Sequence, residues 1–195
     1  MAYHHGDLRR ALLAAAVAAI EERGPAAISL RDLARRANVS HAAPAHHFGD
    51  KAGLLTALAA EGFTKLTAAL RQARERTGSF LEIGVAYVGF AVRHPAHFAV
   101  MFRPDLYHAD DPSVVAARDG ARESLHGGLG LVADPGPAPS PIAALAAWSL
   151  VHGLATLWLS GSLRDPPTDD PEELTRLVAA VLFRDGGPPG LPSAG

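Results

Sequence analysis

The side chains best placed to do chemistry lie in one short run. From Ser29 to Lys51 the chain reads SLRDLARRANVSHAAPAHHFGDK, which holds hydroxyls, three histidines, three arginines and a lysine. Those groups hydrogen-bond and neutralise a polyanion; no hydroxyl or thiol is set beside a base and an orienting acid, as bond-making would require. Ser40-His41 is mere adjacency, because a catalytic triad is assembled in space. The ten histidines raise the possibility of a metal site. His41 and His46 are five residues apart, however, and the neighbouring His46 and His47 lean to different faces of a helix. His94 and His97 flank Pro95 at i, i+3 but have no carboxylate close in sequence. None of these is the i, i+4 pair with a third ligand that a helical zinc site uses, so no metal is expected.

Composition removes further classes. The chain has 195 residues, 48% of them hydrophobic, and a net charge of −2, which is too apolar and too neutral for intrinsic disorder. It has no cysteine, hence no disulfide scaffold, thiolate zinc site or cysteine nucleophile. There is no Gly-rich phosphate loop and no paired carboxylates, so neither an enzyme nor a bound cofactor is expected. The opening MAYHHGDLRR lacks the apolar run of a secretory signal, which leads us to expect a cytoplasmic protein. Charge is unevenly spread: residues 1–76 carry 11 Lys and Arg against 7 Asp and Glu, and residues 77–195 carry 7 against 13. A basic first part is what a polyanion partner would select.

Helices must position these residues. Leu8, Leu12, Ala16 and Ile20 make an i, i+4 stripe, predicting a helix over Asp7–Arg23 that Gly24-Pro25 stops. Ser29 caps a second helix that runs to Ala37, with Asp32 three residues on. Asn38-Val39 is a tight turn, Asn being one of the few residues at ease in the left-handed region. Ser40 is read as the N-cap of a short helix, His41–His47, and a long helix follows from Lys51 to about Arg76. Further helices are predicted near Ser79–Arg93, Pro95–Phe102, Ser113–Val132, Pro141–Leu163 and Pro171–Arg184, with loops at 103–112 and 133–140. The Gly- and Pro-rich residues 186–195 are expected to be a disordered tail. No period-2 run suggests a strand, so the fold is expected to be all-α.

Two short helices joined by a tight turn, with the small Ala34 where they cross, have the form of a helix-turn-helix. A plain helical hairpin would show the same pattern. Val39 and Phe48 are expected in the core, and Arg35 and Arg36 on a solvated face. The flanking residues add to this. Ser29 to Ser40, His46-His47-Phe48-Gly49-Asp50-Lys51, the preceding helix and the leucine-rich helix after it together resemble the DNA-binding domain of TetR-type bacterial transcriptional regulators over residues 8–58. Trp148-Ser-Leu-Val-His152-Gly153 resembles the signature of a WHG-type C-terminal domain found in that family. The resemblance implies a three-helix DNA-binding domain with a helix-turn-helix (residues 1–50), followed by a six-helix ligand-binding and dimerisation domain (51–185). It departs from the family at Ala45, where a tyrosine is usual, and at Pro44, where a helix former is usual; with Ser40 as N-cap, Pro44 would remove the first internal hydrogen bond.

On this reading His41, Ala42 and Ala43 face the bases, the alanines toward thymine methyls and His41 toward a guanine edge. Ser40 opens the reading helix, His46 or His47 reaches a phosphate, and Lys51 with the free amides of its helix makes an anion site. Ser29 and Arg31 hold the opposite strand, and Tyr3, His4, His5 and Arg9 form an N-terminal arm.

The resemblance also implies a homodimer bound to a pseudo-palindromic operator on double-stranded DNA, acting as a repressor released by a small-molecule effector. Candidate ligand residues are Tyr87, Phe90, His94, Phe98, Met101, Phe102, Tyr107, Trp148 and His152, although an aromatic stripe at helical spacing is equally a plain core. They include few charges, which points to a neutral or weakly polar ligand. From Pro135 to Leu163 there is no charged residue, and Pro141–Leu163 is long enough to cross a bilayer. The alternative is therefore a helical membrane-associated or adaptor protein anchored there. The resemblance favours a dimer interface instead, built from Ala146, Ser149, Gly153 and Thr156 with Leu174, Leu177, Val178 and Val181, and no membrane partner.

Overall fold

Gly24, Asn38, Gly49, Gly78 and Gly161 punctuate the chain: each has a positive φ, and each closes a helix. A computed structural model describes residues 5–129 and 141–183. Among these are nine α-helices and no strand: α1 (His5–Arg23), α2 (Leu30–Arg36), α3 (Ala43–Phe48), α4 (Lys51–Thr77), α5 (Phe80–Arg93), α6 (Pro95–Met101), α7 (Pro112–Leu129), α8 (Pro141–Leu159) and α9 (Pro171–Phe183). Single 3₁₀ turns at Pro25–Ala27 and Pro104–Leu106 occupy stretches read as connections. Pro95, Pro141 and Pro171 each open a helix, where the missing N–H has no carbonyl to serve.

Several helix ends differ from the sequence reading by about one to four residues. Ser40 does not cap the short helix: its N-cap is Ala42, with no side-chain hydrogen bond, and Pro44 lies in its first turn. The start has moved to where proline costs no internal hydrogen bond. Helix α8 ends at Leu159 rather than Leu163, because Gly161 (φ 65) turns left-handed and the Ser162 N–H donates back to Leu157 O at 3.1 Å, a Schellman closure. Helix α6 ends at Met101, leaving Phe102 as its C-cap. The expected tail, residues 186–195, the 133–140 loop and the ends of the helices predicted to reach Val132 and Arg184 lie outside the described residues.

The chain forms two compact units, which do not divide at residue 50. Of the described residues, one unit comprises 5–69 and 93–124, the other 70–92, 125–129 and 141–183. In the first, α6 packs on α1 and on the 3₁₀ turn at Pro25, so part of the presumed regulatory region belongs with the helix-turn-helix. Leu12, Ala16, Ala19 and Ile20 of α1 and Leu54, Leu55 and Leu58 of α4 are buried at 3% exposure or less. Gly62 lets α6 close on α4, since a Cβ there would lie 2.6 Å from Met101 Sδ and 3.1 Å from His97 Cβ. In the second unit, Arg176 of α9 holds Glu82 of α5 through two hydrogen bonds of 2.8 and 2.9 Å.

The corner between α3 and α4 is tighter still. Gly49 (φ 75) donates its N–H to Ala45 O at 2.8 Å, and Asp50 Oδ1 accepts the Gly53 N–H at 2.8 Å. A Cβ on Gly53 would sit 2.0 Å from the carbonyl oxygen of Phe48, which is rigid backbone. Gly53→Ala is therefore expected to destabilise the protein by about 1–3 kcal/mol. The check is urea unfolding, where the midpoint should fall at constant slope.

Candidate nucleic-acid interface and aromatic centre

The helix-turn-helix is built from a few local hydrogen bonds. Ser29 Oγ accepts the Asp32 N–H at 3.2 Å and caps α2. At the other end Asn38 takes φ 53, its N–H donates to Arg35 O at 3.2 Å, and the Val39 N–H donates to Ala34 O at 3.0 Å. That is a Schellman closure with asparagine in the glycine position. Ala34 is fully buried and α2 packs on α3, as the small residue predicts. Val39 and Phe48 are only half-buried rather than core. The Phe48 ring is instead covered by the Arg9 guanidinium, 5.4 Å from its centroid, a cation–π contact.

Arg35 and Arg36 are exposed, as expected of a solvated face, yet Arg36 is also ion-paired. Its guanidinium makes two hydrogen bonds to Glu22 of α1, at 2.9 and 2.6 Å, and a third to Asp32 at 3.1 Å. Asp32 also receives Arg23 and, at 2.6 Å, Arg35. The network ties α1 to α2, and sequence inspection missed it because Glu22 and Arg36 are fourteen positions apart with no motif between them. The arginines, through their hydrogen bonds, hold the Asp32 carboxyl down at about 2.

Beyond this network the surface is open. Arg31, Ser40, His41, Ala42, Ala45 and His46 are exposed; Ala43 and His47 are half-buried. His41 and Ala42 precede α3 rather than lying within it, and only Ala43 of the three expected base readers is helical. The His46 and His47 rings stand edge to face, 5.6 Å apart. The Lys51 ammonium donates one hydrogen bond to Ala26 O at 2.7 Å and has two further protons to offer. The Gly53 N–H in the first turn of α4 is already served by Asp50, which leaves Lys51 beside a capped end. Tyr3 and His4 lie outside the described residues.

The nine candidate ligand residues fall into two groups. In the first unit, Phe98 and Phe102 rings are 5.1 Å apart, Phe63 joins Phe102 at 5.8 Å, and the Tyr107 hydroxyl donates to Met101 O at 2.8 Å; His94 is half-buried on the same unit. In the second, Trp148 and His152 are one turn apart on α8 and meet Tyr87 of α5; Phe90 is buried on α5. Trp148 Nε1 can only donate, and it points at the Tyr87 oxygen at 3.3 Å. The Tyr87 hydroxyl is also hydrogen-bonded to His152 Nδ1, 2.9 Å away. Burial pushes the Tyr87 phenol above its ordinary value and the His152 imidazole below its own, so both are neutral at pH 7. A separate apolar cavity of about 30 Å³ in this unit is lined by Phe80, Gly84, Leu150 and Val151 among others, and by none of the nine.

Two family models match the chain: one for bacterial regulatory proteins of the tetR family over residues 12–58, and one for a tetracyclin repressor-like C-terminal domain over residues 80–182. The chain belongs to the TetR family. Regulators of this family bind DNA and are not enzymes. A solved protein of unknown function from Rhodococcus sp. RHA1 is 37% identical, with 93% of this chain and 96% of that one covered and a TM-score of 0.77. A TetR-like transcriptional regulator of Mycobacterium smegmatis, solved in complex with proflavine, shares the fold at 21% identity, with 89% and 92% covered and a TM-score of 0.63. An HTH-type transcriptional repressor of Mycobacterium tuberculosis is 44% identical over 61 residues. That match covers 31% of this chain and 32% of the relative, so the chain spans about a third of the curated relatives it matches.

In this TetR-family chain α8 is the one described helix long and apolar enough to cross a membrane, yet only 22% of its most apolar window is buried. The C-terminal family model includes it, so the membrane-anchored alternative is not favoured. Ile142 and Leu145 of α8 are 74% and 56% exposed, and Leu177 and Val181 of α9 are 47% and 74% exposed. Ala146, Ser149 and Thr156 are exposed with them, while Gly153 and Val178 are half-buried. Leu174 departs from the expected interface: at 5% exposure it is part of the chain's own core.

Two outcomes test this geometry. Asp32 titrates near 2 in the folded chain against an ordinary 3.8, so its contribution is present above 3.8 and is lost as pH falls toward 2. Asp32→Asn should lower the thermal midpoint at neutral pH, and its deficit against the parent chain should vanish across that acid interval. Tyr87→Phe should cost about 1–3 kcal/mol by removing the hydroxyl that Trp148 Nε1 and His152 Nδ1 both reach. Nitrogen NMR of His152 should then shift at Nδ1, which loses its hydrogen bond to the hydroxyl.

Proposed function

We propose that the protein is a homodimeric, ligand-responsive repressor that binds a pseudo-palindromic operator on double-stranded DNA in the cytoplasm. The observation that carries this reading is the helix-turn-helix of a TetR-family chain, capped at Ser29 and turned at Asn38, with an open surface running from Arg31 through His41, Ala42 and His46. His41, Ala42 and Ala43 stand at the entry to α3, the end that enters a major groove. Ser29, Arg31, Ser40, His46, His47 and Lys51 supply hydroxyl, imidazole and cationic partners for phosphates.

A second copy of the chain covers the apolar side chains of α8 and α9. Two readers in such a dimer sit about 34–36 Å apart, one turn of the duplex. The neutral Tyr87, Trp148 and His152 suit a neutral or weakly polar effector, and the TetR-like regulator of Mycobacterium smegmatis solved in complex with proflavine supports a small-molecule effector. Effector binding releases DNA by favouring a conformation in which α4 swings and the reader spacing no longer fits; a ligand with equal affinity for both conformations would shift nothing.

The test is selection from a random double-stranded pool by the purified protein at moderate salt. Enrichment of a two-fold related sequence is expected, and enrichment of none by a soluble, ligand-free dimer would sink the proposal. Against the selected operator, Lys51→Ala should weaken binding to all sequences and reduce the log–log salt slope by about 0.9. His41→Ala should instead change the preferred base at one position of each half-site, read by repeating the selection.

A further inference from the structure

Among the described residues one buried side chain leaves its polar atoms unpartnered. His97 lies on α6 at 3% exposure, and neither ring nitrogen has a hydrogen bond. Glu61 Oε1 of α4 is 3.4 Å from Nε2 but lacks hydrogen-bond geometry, and that carboxylate already serves Lys65 at 2.8 Å. Buried polar atoms of folded proteins are nearly always satisfied, and an orphan pair needs an explanation.

The ring is held tightly, within the first compact unit. Helix α6 closes on α4 at Gly62, where even a Cβ would lie 3.1 Å from His97 Cβ and 2.6 Å from Met101 Sδ. A neutral imidazole tolerates such a place at the cost of its unmade hydrogen bonds. An imidazolium, with a full charge and two N–H donors, does not. It needs water or an acceptor at each nitrogen, and admitting either means parting α6 from α4. Of the groups facing it from α4, Glu61 favours the charged ring and Lys65 opposes it; His94, at the start of α6, also opposes it. Helix α1 brings Arg9, Arg10 and Glu21 to the groove that His97 lines, and Arg93 stands at its edge. The two 3₁₀ turns packed on α6 add only Asp105, which is paired with Arg103. Burial, reinforced by the Lys65 charge, outweighs Glu61 and holds the imidazole below its ordinary 6.5, so it is neutral at pH 7.

We propose that His97 is an acid-operated latch: charging its ring parts α6 from α4 and loosens the first compact unit. A group whose charged form the folded state disfavours contributes stability above its ordinary value, and that stability is lost as pH falls below it. Glu61 does not mask the effect. Burial raises its carboxyl, but the Lys65 ammonium outweighs burial and leaves it below its ordinary 4.5, so it stays ionised at about pH 5. The latch bears on the helix-turn-helix because α6 packs on α1, and α1 carries the Glu22 and Arg23 that hold α2. It is a property of the fold, and it holds whether or not the chain reads an operator.

Hydrogen exchange of the full-length protein tests it without DNA. Between about pH 7.5 and about pH 5, protection of the α6 amides, corrected for intrinsic rate and taken relative to α5, should fall about threefold or more. His97→Phe, which fills the site with a ring that cannot charge, should hold that protection constant over the interval. His97→Leu makes the same test with a flexible side chain if the phenylalanine variant does not fold. His94→Asn should keep the parent response. In the unaltered protein the His97 ring resonances should titrate below 6.5. Protection that stays constant or rises in the parent overturns the proposal. So does an equal loss in a folded variant lacking His97, a response that disappears with His94, or a His97 ring that titrates at or above 6.5.

Discussion

The reader of this protein hangs on one turn. Between α2 and α3 the chain must reverse within a few residues, and it does so by placing Asn38 in the left-handed region while the Val39 N–H closes back on Ala34. Any other route would lift α3 away from α2 and bury backbone groups without partners. Ala34 has to be small for the same reason, since it lies beneath the closure at full burial. The rest of the DNA-binding surface inherits its direction from that geometry.

Electrostatics then fixes the turn to the remainder of its unit. Asp32 and Glu22 gather Arg23, Arg35 and Arg36 into a network that spans α1 and α2. Exposed ion pairs taken singly contribute little, but a bidentate pair shared with a second carboxylate holds direction as well as distance. Its consequence is specialisation among the basic residues. Arg23, Arg35 and Arg36 are occupied in positioning, while Arg31, His41 and His46 face outward.

The C-terminal helices show a different economy. In α8 the side chains that satisfy the chain's own interior, Ala144, Val151, Leu154 and Ala155, alternate with large apolar residues left in water. Trp148 and His152 lie one turn apart between those faces and share the Tyr87 hydroxyl. A helix apolar all round is a membrane span or the centre of an assembly. Membership of the TetR family disfavours the membrane span.

Much of this was legible in the residues themselves, because local rules govern it. Nine helices, their proline starts, the Ser29 cap and the left-handed Asn38 follow from period, propensity and capping within a few positions. So does the class of chemistry, since the hydroxyls, histidines and cations of residues 29–51 suit binding a polyanion. The tertiary structure alone decided what depends on residues far apart in sequence. Beside two local shifts, the start of α3 past Ser40 because Pro44 fits only a first turn and the end of α8 at Leu159 through the Gly161 closure, it settled the long-range contacts. It paired Arg36 with Glu22, placed Gly53 against the Phe48 carbonyl, and drew Leu174 out of the expected interface into the core. It also grouped α6 with α1, which put His97 at a groove no sequence spacing had marked. Periodicity names the face of a helix that is apolar; only packing decides which neighbour that face meets.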